Sequence, residues 1–101
     1  MFIVRLKYKV PLERIDELLP LHVEWLHLHE TAGRFVVYGR LVPRTGGVIV
    51  VDVPSRAELD AVIATDPFAL NGASDYEVME FMENKCFAEV KRPAIARALA
   101  E

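Results

Sequence analysis

The sequence predicts a single α+β domain of split βαβ plan (βαββαβ), and three observations carry the prediction. Hydrophobic spacing changes period along the chain, from two, to three-and-four, to two β-branched runs, and back again. Helix-entry signals stand at Pro11 and Ser55, each just ahead of a helical stripe. The length of 101 residues is enough for one core and too short for two. Strand, helix, strand, strand, helix, strand is the order of a four-stranded antiparallel sheet with both helices on one face.

The elements follow in turn. In "FIVRLKYKV", Phe2, Val4, Leu6 and Tyr8 fall on one side and Ile3, Arg5, Lys7 and Lys9 on the other, which is a strand with one buried face. Pro11 opens a helix whose stripe is Leu12, Ile15, Leu18, Leu19, His22, Trp25, Leu26 and His29. Glu13, Asp16 and Glu17 suit its N-terminal dipole, and Gly33 is placed to end it in a left-handed cap. Pro20 is expected to kink it or split it in two. "RFVVYGRLV" and "GGVIVVDV" read as neighbouring antiparallel strands joined by "PRTGG". Ser55 with Glu58 is a capping box for a second helix carrying Leu59, Val62 and Ile63. "YEVMEFMENKCFAEV" reads as a long last strand with apolar weight on both faces, and residues 91–101 as a short helical tail of the same domain.

Composition narrows the class. A net charge of −3 leaves no basic stripe to neutralise phosphates, so nucleic acid is not an expected partner. No apolar run reaches the length of a membrane span, and Met1 runs directly into a strand, which predicts no leader and a cytoplasmic protein. Cys86 permits no internal disulfide and reads as a small buried hydrophobe. An apolar fraction of 52% is high for so small a soluble domain. The two-faced last strand therefore predicts a homodimer closing over the sheet.

The residues able to carry chemistry are few. Of the three histidines, His22 falls inside the apolar stripe, His27 points well away from it, and His29 returns to it about 10 Å further along the axis. No pair has metal-ligand spacing on one face, so no metal is expected. "RTGG" is a hairpin turn rather than a phosphate loop, so no haem, flavin or other cofactor is expected either. A lone histidine in an apolar stripe reads more often as a satisfied core residue than as a catalyst. In "ATDPFALNG", Asp66 before Pro67 is sufficient as a helix cap. The split plan brings the second helix's end toward the first helix, and a carboxylate there would orient an imidazole and stabilise its protonated form. Arg40 reads as a solvated loop arginine or, if it points inward, as a receptor for an anionic substrate. Tyr8 and Trp25 read as core or pocket lining, and Gly39 as a bulge or a place of close backbone approach.

His22 on the first helix eleven positions before Gly33, "VVYGRL" with Gly39, and "ATDPF" together resemble the YciI-like family of the dimeric α+β barrel superfamily, over roughly residues 2–87. The resemblance implies a ferredoxin-like fold with His22 and Asp66 as a candidate active-site pair. Members commonly carry proline after the strand-two glycine, where this chain has Arg40. Relatives in the superfamily include lactone isomerases and a dehydrochlorinase of aromatic degradation. The implied function is a cofactor-independent enzyme moving a proton on a small carboxylated or cyclic compound, as an isomerase, lyase or dehydrochlorinase. Arg40, Gly39 and Tyr8 are its candidate substrate-binding residues. The alternative is a small-ligand-binding or accessory protein of the same fold without turnover, since one fold hosts unrelated functions.

Overall fold

A computed structural model describes residues 1–84. Its elements are β1 (Phe2–Tyr8), α1 (Leu12–Thr31), β2 (Phe35–Arg40), β3 (Gly46–Val51), α2 (Arg56–Ile63), α3 (Pro67–Leu70) and β4 (Ser74–Glu80). The four strands form one sheet in the order β2-β3-β1-β4, antiparallel at every pair. This is the ferredoxin-like split βαβ arrangement, with β1 central. The alternation read in β1 holds, because Phe2, Val4 and Leu6 are buried while Arg5 and Lys7 are exposed. Those three join Phe35, Ile49 and Val51 in a core covered by Ile15, Leu18, Trp25, Leu26, Leu59 and Phe68 from the helices. No helix among the described residues is long and apolar enough to cross a membrane.

Helix ends follow their local chemistry. Ser55 Oγ accepts the Glu58 amide at 3.2 Å, starting α2. Gly33, at φ +80°, ends α1 in the left-handed region open to glycine. Pro20 does not split α1, which runs unbroken for 20 residues. Pro20 and Asp16 both lie on the exposed side, where water can satisfy the Asp16 carbonyl that proline leaves without an amide partner.

One departure from expectation lies in the last strand. The last strand ends at Glu80 rather than running on, since β4 pairs only with β1 and that neighbour runs out where the Phe81 amide meets the Met1 carbonyl at 2.9 Å. The rest of that expected strand, Cys86 and the helical tail lie outside the described residues. Between α2 and β4 the chain makes the short helix α3, entered at Asp66 and Pro67 as the cap reading of that dipeptide implies.

β2 contains a bulge. Phe35 pairs with Val51, yet Val37 pairs with Val50, so Val36 is an extra residue on β2. Strict alternation would put Val37 and Gly39 inward with Phe35. The extra residue instead aligns Tyr38 with buried Ile49, and Arg40 with Gly47, on the helix-covered face. On the opposite face, Val37, Val50, Ile3 and Met79 line up in register across all four strands. Val37 and Met79 are 59% and 64% exposed there.

β1 and β3 approach so closely at one point that only glycine fits. A Cβ on Gly46 would stand 1.7 Å from the Leu6 carbonyl oxygen, a backbone atom that cannot turn aside. Gly39 is the contrast, with nothing within 4 Å of its added Cβ. Gly46→Ala is expected to cost about 3 kcal/mol or more, while Gly39→Ala stays within about 0.5 kcal/mol of wild type in urea titrations. Equal stabilities of the two variants would refute this account of the β1–β3 contact.

Candidate functional site

The local sequence explains how Asp66 is held. The residue before a proline is pushed to extended backbone, and Asp66 has φ −65° and ψ 127°. From there its Oδ1 accepts the Phe68 amide at 3.0 Å, capping α3. The same oxygen lies 2.7 Å from His22 Nδ1 on α1. Oδ2 accepts the Tyr76 hydroxyl from β4 at 2.6 Å. The carboxylate is 0% exposed, so its three partners stand in for water. A carboxylate only accepts, and His22 therefore carries its proton on Nδ1.

Phe68 fixes the imidazole a second way. Its ring stacks on His22 with centroids 4.0 Å apart and planes 10° from parallel. Trp25 closes the other approach at 5.4 Å, and its indole N–H donates to Thr65 Oγ1 at 2.9 Å. One aromatic contact of this kind contributes about 0.5–1.5 kcal/mol beyond burial. His22 Nε2 has no partner among the described residues, yet it is not one of the buried unpartnered atoms. Its ring lies on the wall of a cavity of about 270 Å³.

That cavity gathers most of the residues picked out by sequence. Tyr8, Gly39 and Arg40 line it with His22. Leu6, Leu19, Leu26, Val48, Ile49 and Phe68 supply apolar walls, and Tyr38 adds a phenol already donated to Glu30 at 2.6 Å. The β2 bulge brings Arg40, an exposed residue, onto the lining of this cavity, where strict alternation would have turned it away. Among the described arginines and lysines, Arg40 alone has no hydrogen-bond or ion-pair partner. Arg44 is spent on Asp16, Arg34 on His29, Arg14 on Glu17 and Arg56 on Asp60, while Arg5, Lys7 and Lys9 pair with Glu77 or Asp75. Gly39 is no point of close protein approach, since its added Cβ would meet open space. Tyr8 serves as core and as lining, with its ring edge-on to Phe68 at 5.9 Å. His27 is exposed, and Trp25 belongs to the core.

Tyr76 is the member of this network that sequence reading missed. The available signal was modest. Ser74, Tyr76 and Val78 alternate onto the inner face of β4, and a phenol placed inward needs a hydrogen-bond partner. Burial first, then the Asp66 hydrogen bond and charge, push its hydroxyl far above the ordinary tyrosine range. Tyr76 therefore remains a donor.

His29 lies elsewhere, between Trp25 and Phe35 at centroid distances of 5.3 and 5.0 Å. Arg34 donates to its Nδ1 at 3.2 Å, leaving the proton on Nε2, which is buried without a partner. Among the described residues no group of three histidine, cysteine or acidic side chains is arranged to hold a metal ion.

A four-stranded antiparallel sheet with its helices on one face and a histidine-lined cavity between them defines an α+β domain of ferredoxin-like type. The chain belongs to the YCII-related domain family, whose model matches residues 1–82. No curated protein sequence matches it. Among similar solved structures is 5-chloro-2-hydroxyhydroquinone dehydrochlorinase (TftG) from Burkholderia phenoliruptrix AC1100, in complex with 2,5-dihydroxybenzoquinone. The likeness has a TM-score of 0.70 and 17% identity, covering 83% of this chain and 96% of that one. At that identity the comparison establishes the shared fold.

Burial, followed by the neighbouring Arg34 charge, lowers the His29 pKa below 6.5. As pH falls through that value the unfolded chain takes up the proton first. Stability from this site is therefore complete above about pH 6.5 and is lost progressively below it. His29→Phe, which keeps a ring in the aromatic cluster, is expected to flatten the fall in urea midpoint between about pH 7 and pH 5. Parallel declines for wild type and variant would exclude His29 as the source.

Proposed function

We propose that the protein is a cofactor-independent enzyme that moves a proton on a small carboxylated or cyclic compound. The observation that carries this reading is the 2.7 Å contact between His22 Nδ1 and Asp66 Oδ1, with the same imidazole on the wall of the cavity. In the proposed reaction, His22 Nε2 takes a proton from the substrate and Asp66 stabilises the resulting imidazolium. An isomerase returns that proton at another carbon. In a dehydrochlorination, the pair from the broken C–H or O–H bond forms a new π bond, chloride leaves with its own electron pair, and the proton passes from Nε2 to solvent. Neither course requires a nucleophile or an external oxidant.

Arg40, Tyr8 and Gly39 are the proposed substrate-binding residues. A guanidinium with no partner among the described residues is suited to a carboxylate or another oxygen anion, and the apolar walls suit a small ring. The cavity is near the lower end of the roughly 300–1,000 Å³ typical of small-molecule pockets, which favours a compact substrate. The neighbouring dehydrochlorinase bound to a quinone supports the same chemistry by analogy of fold. The second reading, ligand binding without turnover, is favoured by one observation. Two of the three bonds to Asp66 hold a helix cap and a strand rather than His22.

The first experiment is a thermal-shift screen with 2,5-dihydroxybenzoquinone, small carboxylic acids, lactones and halogenated phenols, followed by product analysis of each hit. Wild type is expected to be stabilised by at least one compound, while His22→Gln and Arg40→Gln respond much less. Turnover of that compound should fall on the order of 100-fold or more in His22→Gln. A hit recovered unchanged from wild type decides for the binding reading, and a hit that stabilises His22→Gln equally removes the cavity from consideration.

The row formed by Val37, Val50, Ile3 and Met79 is the proposed contact with a second copy, making a homodimer through the open sheet face. Wild type is expected to sediment as a dimer and Val50→Lys as a monomer. A monomeric wild type would end this part of the proposal.

A further inference from the structure

We propose that Tyr76 is a positioning residue of the site, its hydroxyl sharing the Asp66 carboxylate and so limiting how strongly that carboxylate draws on the His22 Nδ1 proton. This deepens the reading of His22 as the proton carrier and rests on it. The geometry is a chain across three elements. Tyr76 on β4 donates to Oδ2 at 2.6 Å, while Oδ1 faces His22 on α1 at 2.7 Å and accepts the Phe68 amide of α3 at 3.0 Å.

A structural role accounts for only part of this arrangement. The cap of α3 needs Oδ1 alone, and Phe68 already aims that oxygen by its amide and the imidazole by its ring. The second oxygen is left for Tyr76. With Asp66 wholly buried, no water competes for the carboxylate charge, and the three donors divide it among themselves. Each additional donor leaves less of that charge at Nδ1–H. A proton carrier has to release its proton as well as accept it, so an imidazole drawn too hard by a dry carboxylate would be a poor acid. Tyr76 sets that balance from a position that does not line the cavity. Its phenol is held protonated by burial and by Asp66, so the donation persists wherever the fold does. The other polar groups near the ring, Tyr8, Tyr38 and Arg40, lie on the cavity side rather than behind Asp66.

The test is NMR of ring-labelled histidine in the full chain without any substrate, comparing wild type with Tyr76→Phe and with 3-fluorotyrosine placed at position 76 alone. The His22 Nδ1–H resonance reports the strength of its bond to Asp66. Removing the hydroxyl is expected to move it downfield, and the stronger fluorophenol donor to move it upfield. Asp66→Asn should abolish the shared resonance position in all backgrounds. The fluorinated protein differs by one atom and keeps the fold, so the test still decides if Tyr76→Phe misfolds. Opposite displacements carry the proposal. An unmoved resonance, or displacement in the same direction by both variants, overturns it and leaves Tyr76 as a strand anchor. Because no turnover is measured, a protein that converts nothing still decides the role of Tyr76, and loss of the enzyme reading is seen separately in the product analysis.

Discussion

The structure turns on one buried carboxylate. Asp66 has no access to water, and an ionised group in that position is tolerated only when protein donors replace its hydration. Those donors come from α1, α3 and β4, so one side chain ties the first helix, the turn between α2 and β4, and the edge strand together. Pro67 sets the backbone that aims the carboxylate, and Phe68 repays the ordering with both an amide and a ring. Cap and imidazole partner are thus compatible roles, because they use a single oxygen from two directions.

The consequence for chemistry is a histidine with little freedom. Its orientation is set by stacking on Phe68, its tautomer by Asp66, and its remaining nitrogen, beside the cavity, has no partner among the described residues. Preorganisation of this kind reduces what must be ordered when a ligand arrives. His29 shows how much depends on surroundings rather than residue type. It lies on the same helix, is as buried and also packs against two aromatic rings, yet it faces an arginine instead of a carboxylate.

The sheet and helices were legible because their signals are local. Alternation in residues 2–8, the stripe from Leu12 to His29 and the Ser55 cap each need only neighbouring residues, and each matches an observed element. The His22–Asp66 pairing was legible through the motif order and the split plan together. Tyr76 was not, because its meaning depends on contact with a residue ten positions earlier across a turn. The extent of the last strand was misjudged for a related reason, since a strand lasts as long as its neighbour and its own composition does not carry that length. Of the two outcomes expected at Pro20, the split does not occur, because the proline lies on the exposed face of a helix that runs on through it.

The bulge at Val36 has a meaning beyond the strand that contains it. Phe35 and Tyr38 both face the helices although three positions separate them, so the extra residue is absorbed locally. Loss of that one residue would leave Tyr38 opposite Ile49 and Arg40 opposite Gly47, because regular pairing from Phe35 reaches the same register. A lineage could therefore lose a codon here and keep the cationic wall, whereas a one-codon insertion elsewhere in the strand, if not bulged out, would turn every later side chain over. In such a domain the position of a gap in an alignment carries chemical information that its length does not record.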